Sequence, residues 1–383
     1  MNYRSRVLLI NGLWVFLLTQ SIVVPFFSQH DLGMTEIFMI QVVHSLMLLI
    51  FDVPSSYFAD KFGRKKILLL AGLARGIGGC LFYFSTNFSD FLITYTVIGF
   101  GNSLFSGAGL SILYDDDDKS NQTNPLLQNY NITKFFSISA FFIGSLLATF
   151  SLDLPAFVNM ITAWLPLLLI ITLRNPRFSC NKSLVSLNAM WRFVKTNNST
   201  FFILCFFSAF YSSIAVINLY FSQAVFMSLS KSLYVYGILM CFSQLIMTIF
   251  SRWIRINKYY QPHIVILLWL MTPIVYLLFS SNSIVIFFIA VLLSECIRWI
   301  NQIHVLNWIN HDLNVQYRST LNSIINFLSV LVVVFVGPFV GHFVNGYDHD
   351  IASYFLAALF FILPSILYFF YKRRLCYIKE SFF

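Results

Sequence analysis

Charge is what this sequence has least of. Only 10% of its 383 residues are Asp, Glu, Lys or Arg, against 58% hydrophobic. A water-soluble domain needs about 25% charged residues, so a soluble globular fold is excluded and lipid is the main solvent. Acid is scarcer than base, 15 residues against 24, for a net charge of +9. A basic excess can mark a nucleic-acid partner, but here the basic residues sit in short segments between apolar runs, which points to membrane topology and to no nucleic acid. Cysteines are few and scattered (Cys80, Cys180, Cys205, Cys241, Cys296 and Cys376) and form no CxxC pair, so neither a disulfide framework nor a metal site is expected. These residues contain no GxxxxGK[ST] phosphate loop. They also show no nucleophile–base or metal constellation, so neither an enzyme nor a bound cofactor is expected.

What is present is apolar sequence in long runs. A spanning helix needs about 20 largely apolar residues. Twelve stretches qualify, near 7–28, 35–59, 66–86, 91–113, 132–152, 154–173, 200–222, 231–251, 263–281, 283–306, 318–344 and 351–371. With the N-terminus inside, the inner segments hold Arg4, Arg6, Lys61, Arg64, Lys65, Lys66, Arg174, Arg177, Arg252, Arg255, Lys258 and the basic tail. The outer face holds little beyond Lys231. Both termini are then cytoplasmic. Asn-x-Ser/Thr matches starting at Asn121, Asn131, Asn181 and Asn198 lie on or near the inner face, where glycosylation is not expected. The longest polar connection divides the chain into residues 1–173, a linker 174–199 whose Ser186 to Lys195 stretch reads as an amphipathic helix or a plain tether, and residues 200–383. The fold class is therefore all-α: a polytopic membrane protein with 12 transmembrane helices in two six-helix bundles. Equal halves suggest a transporter with its site at their interface.

The run FDVPSSYFADKFGRKK, Phe51 to Lys66, is the most specific segment. Gly63 permits a tight reversal between two spans. Asp60 suits the free amides of a helix start, and Arg64 can bridge carboxylates in a fixed fork. This run resembles the loop between helices two and three of the major facilitator superfamily, with Ser56 where that family usually has glycine. The Val-Pro, Ala-Asp and Lys-Phe-Gly-Arg-Lys-Lys elements resemble a bacterial subgroup of drug and metabolite exporters. Leu113 to Asp116 and the stretch Tyr317 to Ser323 extend the resemblance to the end of helix four and to the second half. The resemblance implies a conformational latch of Asp60, Gly63 and Arg64. Asp60 would face the start of helix eleven near Arg318 to Leu321, and Arg64 would face Asp115 or Asp116. The equivalent second-half loop, Ser251 to Tyr260, keeps only positive charge, so the latch is expected to be asymmetric. The tract Asp115 to Asp118 is read as pairing with the inner basic belt or facing water, ahead of binding a metal.

An ionisable residue inside a spanning helix needs a partner, water or a job. Glu295 and Arg298 share one helix face at i,i+3 spacing. In the superfamily arrangement helices one, four, seven and ten line the central cavity, so Glu295 is the first candidate for proton coupling, with a structural ion pair as the alternative. Asp52 either titrates or braces Arg75. His44 is suited to switching near neutral pH or is a neutral core histidine. Glu36 is read as an outer-edge charge with no special role. Gly99, Ser103 and Gly107 recur at four-residue spacing, which suits close helix contact. Polar residues that could face cargo are Asn11 and Gln20, Asn102 and Ser106, Tyr211 and Asn218, and Asn322 and Asn326. The expected function is secondary transport of a small molecule by alternating access, as proton-coupled efflux of an amphipathic compound or metabolite driven by an ion gradient. Siderophore or nutrient transport, or a non-transporting receptor of the same fold, is the alternative. The expected setting is the bacterial inner membrane, as a functional monomer in the lipid bilayer.

Overall fold

The structure is a computed structural model and describes residues 3–109, 112, 125–173, 199–229, 232–251, 262–301 and 315–380. Every described element is a helix. In chain order they form α1 (Tyr3–Val15), a 3₁₀ turn (Leu18–Ser21), α2 (Val23–Gln29), α3 (Met34–Phe62), α4 (Arg64–Phe84), α5 (Phe88–Gly109), α6 (Pro125–Leu147), α7 (Asp153–Thr162) and α8 (Leu165–Ile171). They continue with α9 (Ser199–Ser228), α10 (Leu233–Ser251), α11 (Pro262–Phe279), α12 (Ile284–Ile300), α13 (Val315–Gly346) and α14 (His349–Glu380). Among the described residues six helices are long and apolar enough to cross a membrane. The bent pair of α1 and α2 makes a seventh, and three further apolar helices are shorter. The chain is thus an all-α polytopic membrane protein.

One expectation needs correction. The first apolar run, read as a single span, is interrupted twice: α1 stops at Val15, and beyond the 3₁₀ turn the segments Tyr3–Ser21 and Val23–Gln29 meet at 50°. At the first of these, the break that ends α1, the Phe16 N–H donates to Leu13 O and the Leu17 N–H to Val15 O, tight bonds that replace the i−4 ladder. A broken helix inside a membrane survives only where other groups take up the freed backbone.

The chain divides into two compact units. One is Met1–Asn181 with Ser230–Leu245, and the other is Lys182–Leu229 with Ile246–Phe383. In the first unit α5 lies against both α3 and α4, α1 packs on α6 and α8, and α4 packs on α7 and α8. Apolar side chains from these helices, among them Leu8, Trp14, Ile67, Leu104 and Ile170, form its core. An aromatic cluster of Phe26, Phe27, Phe82, Phe91 and Tyr95 fills the far end. The first part of α10 belongs to this unit, where the Cys241 thiol donates to Ile138 O of α6 at 3.3 Å. In the second unit α9 packs on α12, α13 and α14, and α11 on α12 and α14. Its core is also aromatic: Tyr276 stacks on Phe360, and Phe279 meets Phe221 and Phe287 edge-on.

Helix ends follow local chemistry. Glu36, read as an idle surface charge, accepts the Gly33 N–H at 2.9 Å and caps the start of α3. Gly63 is the sole residue between α3 and α4. Its φ of 102° is a conformation that only glycine adopts readily, and it closes one helix with its N–H while opening the next with its carbonyl.

Candidate functional site

The break in the first span is the centre of a polar network in the first unit. Arg75 lies eleven residues into α4, about 16 Å along it at 1.5 Å per residue, which is near mid-depth for a hydrocarbon core of about 30 Å. It is 7% exposed. Its Nη2 donates to Leu13 O, one of the carbonyls in the last turn of α1, at 3.1 Å. Its guanidinium lies over the Trp14 ring at 4.8 Å. Phe105 stacks on Trp14 at 3.8 Å and 3°, which leaves the other ring face to Arg75. A cation at a helix C-terminus is favoured by the aligned peptide dipoles, and a desolvated ring face strengthens cation–π attraction. Arg75 therefore closes the break, and Asp52 does not brace it.

Trp14 leads onward. Its indole N–H donates to Asn102 Oδ1 at 3.2 Å, and Asn102 Nδ2 reaches His44 Nε2 at 3.0 Å. His44 Nδ1 lies 3.5 Å from the Gln41 amide, which also contacts Ser45 Oγ at 3.3 Å. Gly99 makes this reach possible. A Cβ there would lie 2.8 Å from His44 O and 2.8 Å from Met47 Cβ, so only glycine lets α5 press this closely on α3. Asn102, expected to face cargo, is thus engaged at both ends of its amide, and Trp14, Gln41 and Ser45 join the site without having been singled out.

Nearer the end of α3, Ser106 donates to the Asp52 carboxylate at 3.0 Å, with Ser106 itself exposed. Ser55 donates to Ser103 O across to α5 at 3.0 Å. Asn11 donates to Asn129 Oδ1 of α6 at 2.7 Å, so it joins helices within the unit. Gln20 lies half-buried in the 3₁₀ turn.

For the latch, Gly63 and Arg64 sit at the α3–α4 junction. Asp115 and Asp116 lie outside the described residues, as does the side chain of Asp60. Lys65 has a defined place that its sequence did not suggest. Its ammonium donates to Ile171 O and Leu173 O, while Arg6 Nη1 donates to Thr172 O at 2.9 Å. Two cations thus cap the carbonyl end of α8.

In the second unit Arg298 Nε donates to Glu295 Oε2 at 3.1 Å, and Nη2 of the same guanidinium completes the ion pair. The pair keeps 31% and 19% of its side-chain surface for Arg298 and Glu295 respectively, so it is not sealed. One turn on, Asn301 Nδ2 donates to Ser208 O and to Ser212 Oγ of α9, both at 3.1 Å. Its i+3 spacing from Arg298 is the signal that would have found it. Tyr211 is fully buried against Phe210. Asn218 is 8% exposed, and among the described residues neither its amide nitrogen nor its oxygen has a partner. Asn326 is exposed on α13, and the Asn322 side chain lies outside the described residues. Among the described residues no three His, Cys, Asp or Glu side chains converge to hold a metal ion.

Residues 9–338 match the family model of the Major Facilitator Superfamily. No curated protein matches the chain. Solved structures share its fold at low identity. The nucleoside transporter NupG superposes with a TM-score of 0.78 at 15% identity, over 97% of this chain and 100% of that one. The D-xylose-proton symporter gives 0.74 at 12%, over 96% and 97%. A bacterial homologue of the human lysosomal transporter Spinster, in an inward-facing and occupied conformation, gives 0.69 at 12%, over 97% and 96%.

Proposed function

The chain belongs to the major facilitator superfamily, and on that premise we propose that it carries a small molecule by alternating access of two six-helix halves, 1–173 and 200–383, joined by the linker 174–199. The carrying observation is the family match, which runs through both halves and is consistent with the shared fold of known transporters. The family consists of carriers, and the chain is no enzyme. In the proposed arrangement twelve spans cross the bilayer, both termini are cytoplasmic, and one copy suffices for transport.

Transport is coupled to protons in this reading. The unsealed Glu295–Arg298 pair supports it, because a carboxylate open to water can exchange its guanidinium partner for a proton. Asn218 is the cargo-binding group. A buried amide with no partner is costly in lipid, and a cargo offering both a donor and an acceptor would satisfy it. Asp52 with Ser106 supplies a second polar patch open to solvent. Around Gly63, the latch pairs Asp60 with the helix-eleven start and Arg64 with Asp115 or Asp116. Efflux of an amphipathic compound or metabolite is the preferred direction, on the subgroup resemblance of Asp52 to Lys66.

The test compares accumulation of a panel of drugs, metabolites, nutrients and siderophores in cells with and without the protein, followed by proteoliposome flux. Cargo-dependent proton movement that Glu295→Gln abolishes supports coupled transport. Tight binding without flux across the panel overturns it in favour of a receptor.

A further inference from the structure

The network at the break contains a group whose protonation the hydrogen-bond geometry can transmit. An indole N–H can only donate, so Asn102 must present its oxygen to Trp14. The Asn102 amino group then faces His44 Nε2 and must donate to it. That nitrogen carries no proton, so His44 is neutral with its proton on Nδ1. Gln41 must in turn offer its oxygen to Nδ1–H, a rotation of the amide that leaves its Ser45 contact satisfied, since a hydroxyl both donates and accepts. The direction of every bond from Trp14 to Gln41 is fixed by one donor-only ring.

We propose that His44 is a proton-reading site whose charge state Asn102 relays to Trp14 at the break of the first span. When a proton from water bonds to the Nε2 lone pair, that nitrogen becomes a donor. Asn102 can keep the bond only by turning its oxygen toward His44, which points its amino group at the Trp14 N–H. Two donors then face each other, and Trp14 must move or lose its bond. Trp14 cannot move alone. It lies between Phe105 and Arg75, and Arg75 holds Leu13 O at the end of α1. The new charge also repels the Arg75 guanidinium beyond Trp14. Proton binding at α3 thereby biases the geometry of the broken span.

The other titratable groups near His44 leave it as the reading site. Tyr95 of α5 has its ring 6.0 Å from the imidazole. Glu36 and Asp52 lie eight residues away on either side, about 12 Å along α3, the first capping Gly33 and the second bonded to Ser106. From α2, His30 packs on Phe26 and Phe91. From α4, Arg75 reaches the network through Trp14. His44 keeps part of its surface uncovered by other side chains, and the proposed proton enters by that side.

This inference deepens the coupled-transport reading, but its test needs no cargo. The full chain is placed in lipid nanodiscs and its tryptophan emission is followed from pH 8 to pH 3.5. A transition is expected that His44→Gln abolishes and that loses most of its amplitude in Trp14→Phe. Asn102→Asp supplies oxygens to both neighbours, removes the donor conflict and places an anion beside His44, so its transition should move up by about one pH unit or more. A transition that persists in His44→Gln overturns the proposal. So does a midpoint unmoved in Asn102→Asp, or a wild-type spectrum flat over the range. Absence of cargo flux with the titration intact would sink the transport reading alone.

Discussion

Replacing Gly99 with alanine tests the close contact on which the polar network depends. The added Cβ would meet His44 O and Met47 Cβ at 2.8 Å each. Comfortable contact between heavy atoms begins at about 3.5 Å, so α3 and α5 must part by roughly 0.7 Å. The His44 oxygen is backbone and cannot swing aside. Overpacking of this kind costs about 1–3 kcal/mol. Alanine also gains up to about 1 kcal/mol over glycine in a helix, which would mask part of the loss. Gly346→Ala in α13 supplies the control, because nothing lies within 4 Å of the Cβ it would gain. Reversible unfolding in mixed micelles should place Gly99→Ala below Gly346→Ala by about 1–3 kcal/mol. The same parting would stretch the 3.0 Å Asn102–His44 contact past hydrogen-bond length. Equal stability of the two variants would refute the close-approach argument.

Gly63→Ala places a side chain at a φ of 102° and should cost about 1–3 kcal/mol, read as a lower melting temperature; an unchanged one would show that the junction relaxes freely. Lys65→Met removes the cap on α8. A loss near 1 kcal/mol should speed amide exchange in residues 168–173 about fivefold, without matching changes in α3. Exchanging the ion pair, Glu295→Arg with Arg298→Glu, should keep most of the stability that either single variant loses. If Glu295 is the coupling group, the swapped protein still loses proton flux in proteoliposomes; retained flux assigns the pair to structure alone. Asn301→Leu removes two bonds to α9 and should cost about 1 kcal/mol in micelle unfolding, within the range for polar contacts between membrane helices.

Some of this was legible because the constraint is local. The reversal at Gly63 needs a residue without a Cβ, and a glycine flanked by cations between apolar runs says so. The small-residue spacing of Gly99, Ser103 and Gly107 announced a close helix contact, though not that α3 at His44 would be the partner. The 50° bend at Ile22 has a signal in Pro25, whose missing N–H cannot bond Ser21 O, but the break after Val15 was illegible. Trp14, Val15, Phe16, Leu17, Leu18 and Thr19 include no proline or glycine, and the groups that stabilise the break come from other helices. Asp52 and Arg75 were paired by the need to neutralise charge, whereas the nearer solutions were Ser106 for the acid and a carbonyl and a ring for the base. Asn11 and Asn102 were read as facing cargo because they are polar in apolar runs, which does not distinguish a cavity from a neighbouring helix.

The scarcity of acid explains where the cations go. With 15 acidic residues against 24 basic ones, carboxylate partners are limited. Three cations of the first unit, Arg6, Lys65 and Arg75, all donate to backbone carbonyls at helix C-termini: Thr172 O, Ile171 O with Leu173 O, and Leu13 O. Such an end carries about half a negative charge and has orphan acceptors to satisfy, so each contact answers two needs at once. It also binds the cation to the shape of the helix, because a carbonyl at a helix end is open to the cation only while the helix stops there; Leu13 O accepts the Phe16 N–H at 3.3 Å and keeps its second lone pair for Arg75. For Arg75 the consequence is directional. Continuing α1 by one more turn would offer the Leu13 oxygen to the next amide in the ladder and weaken its hold on the guanidinium, and moving Arg75 away would release the oxygen to that ladder. The broken and continuous forms of the first span are therefore coupled to the position of α4. Replacing Arg75 with methionine, a side chain of similar length without donors, should shift the balance toward the continuous helix, seen as slower amide exchange at residues 16–18. Faster exchange there would show that the break is set by packing and that Arg75 only follows it.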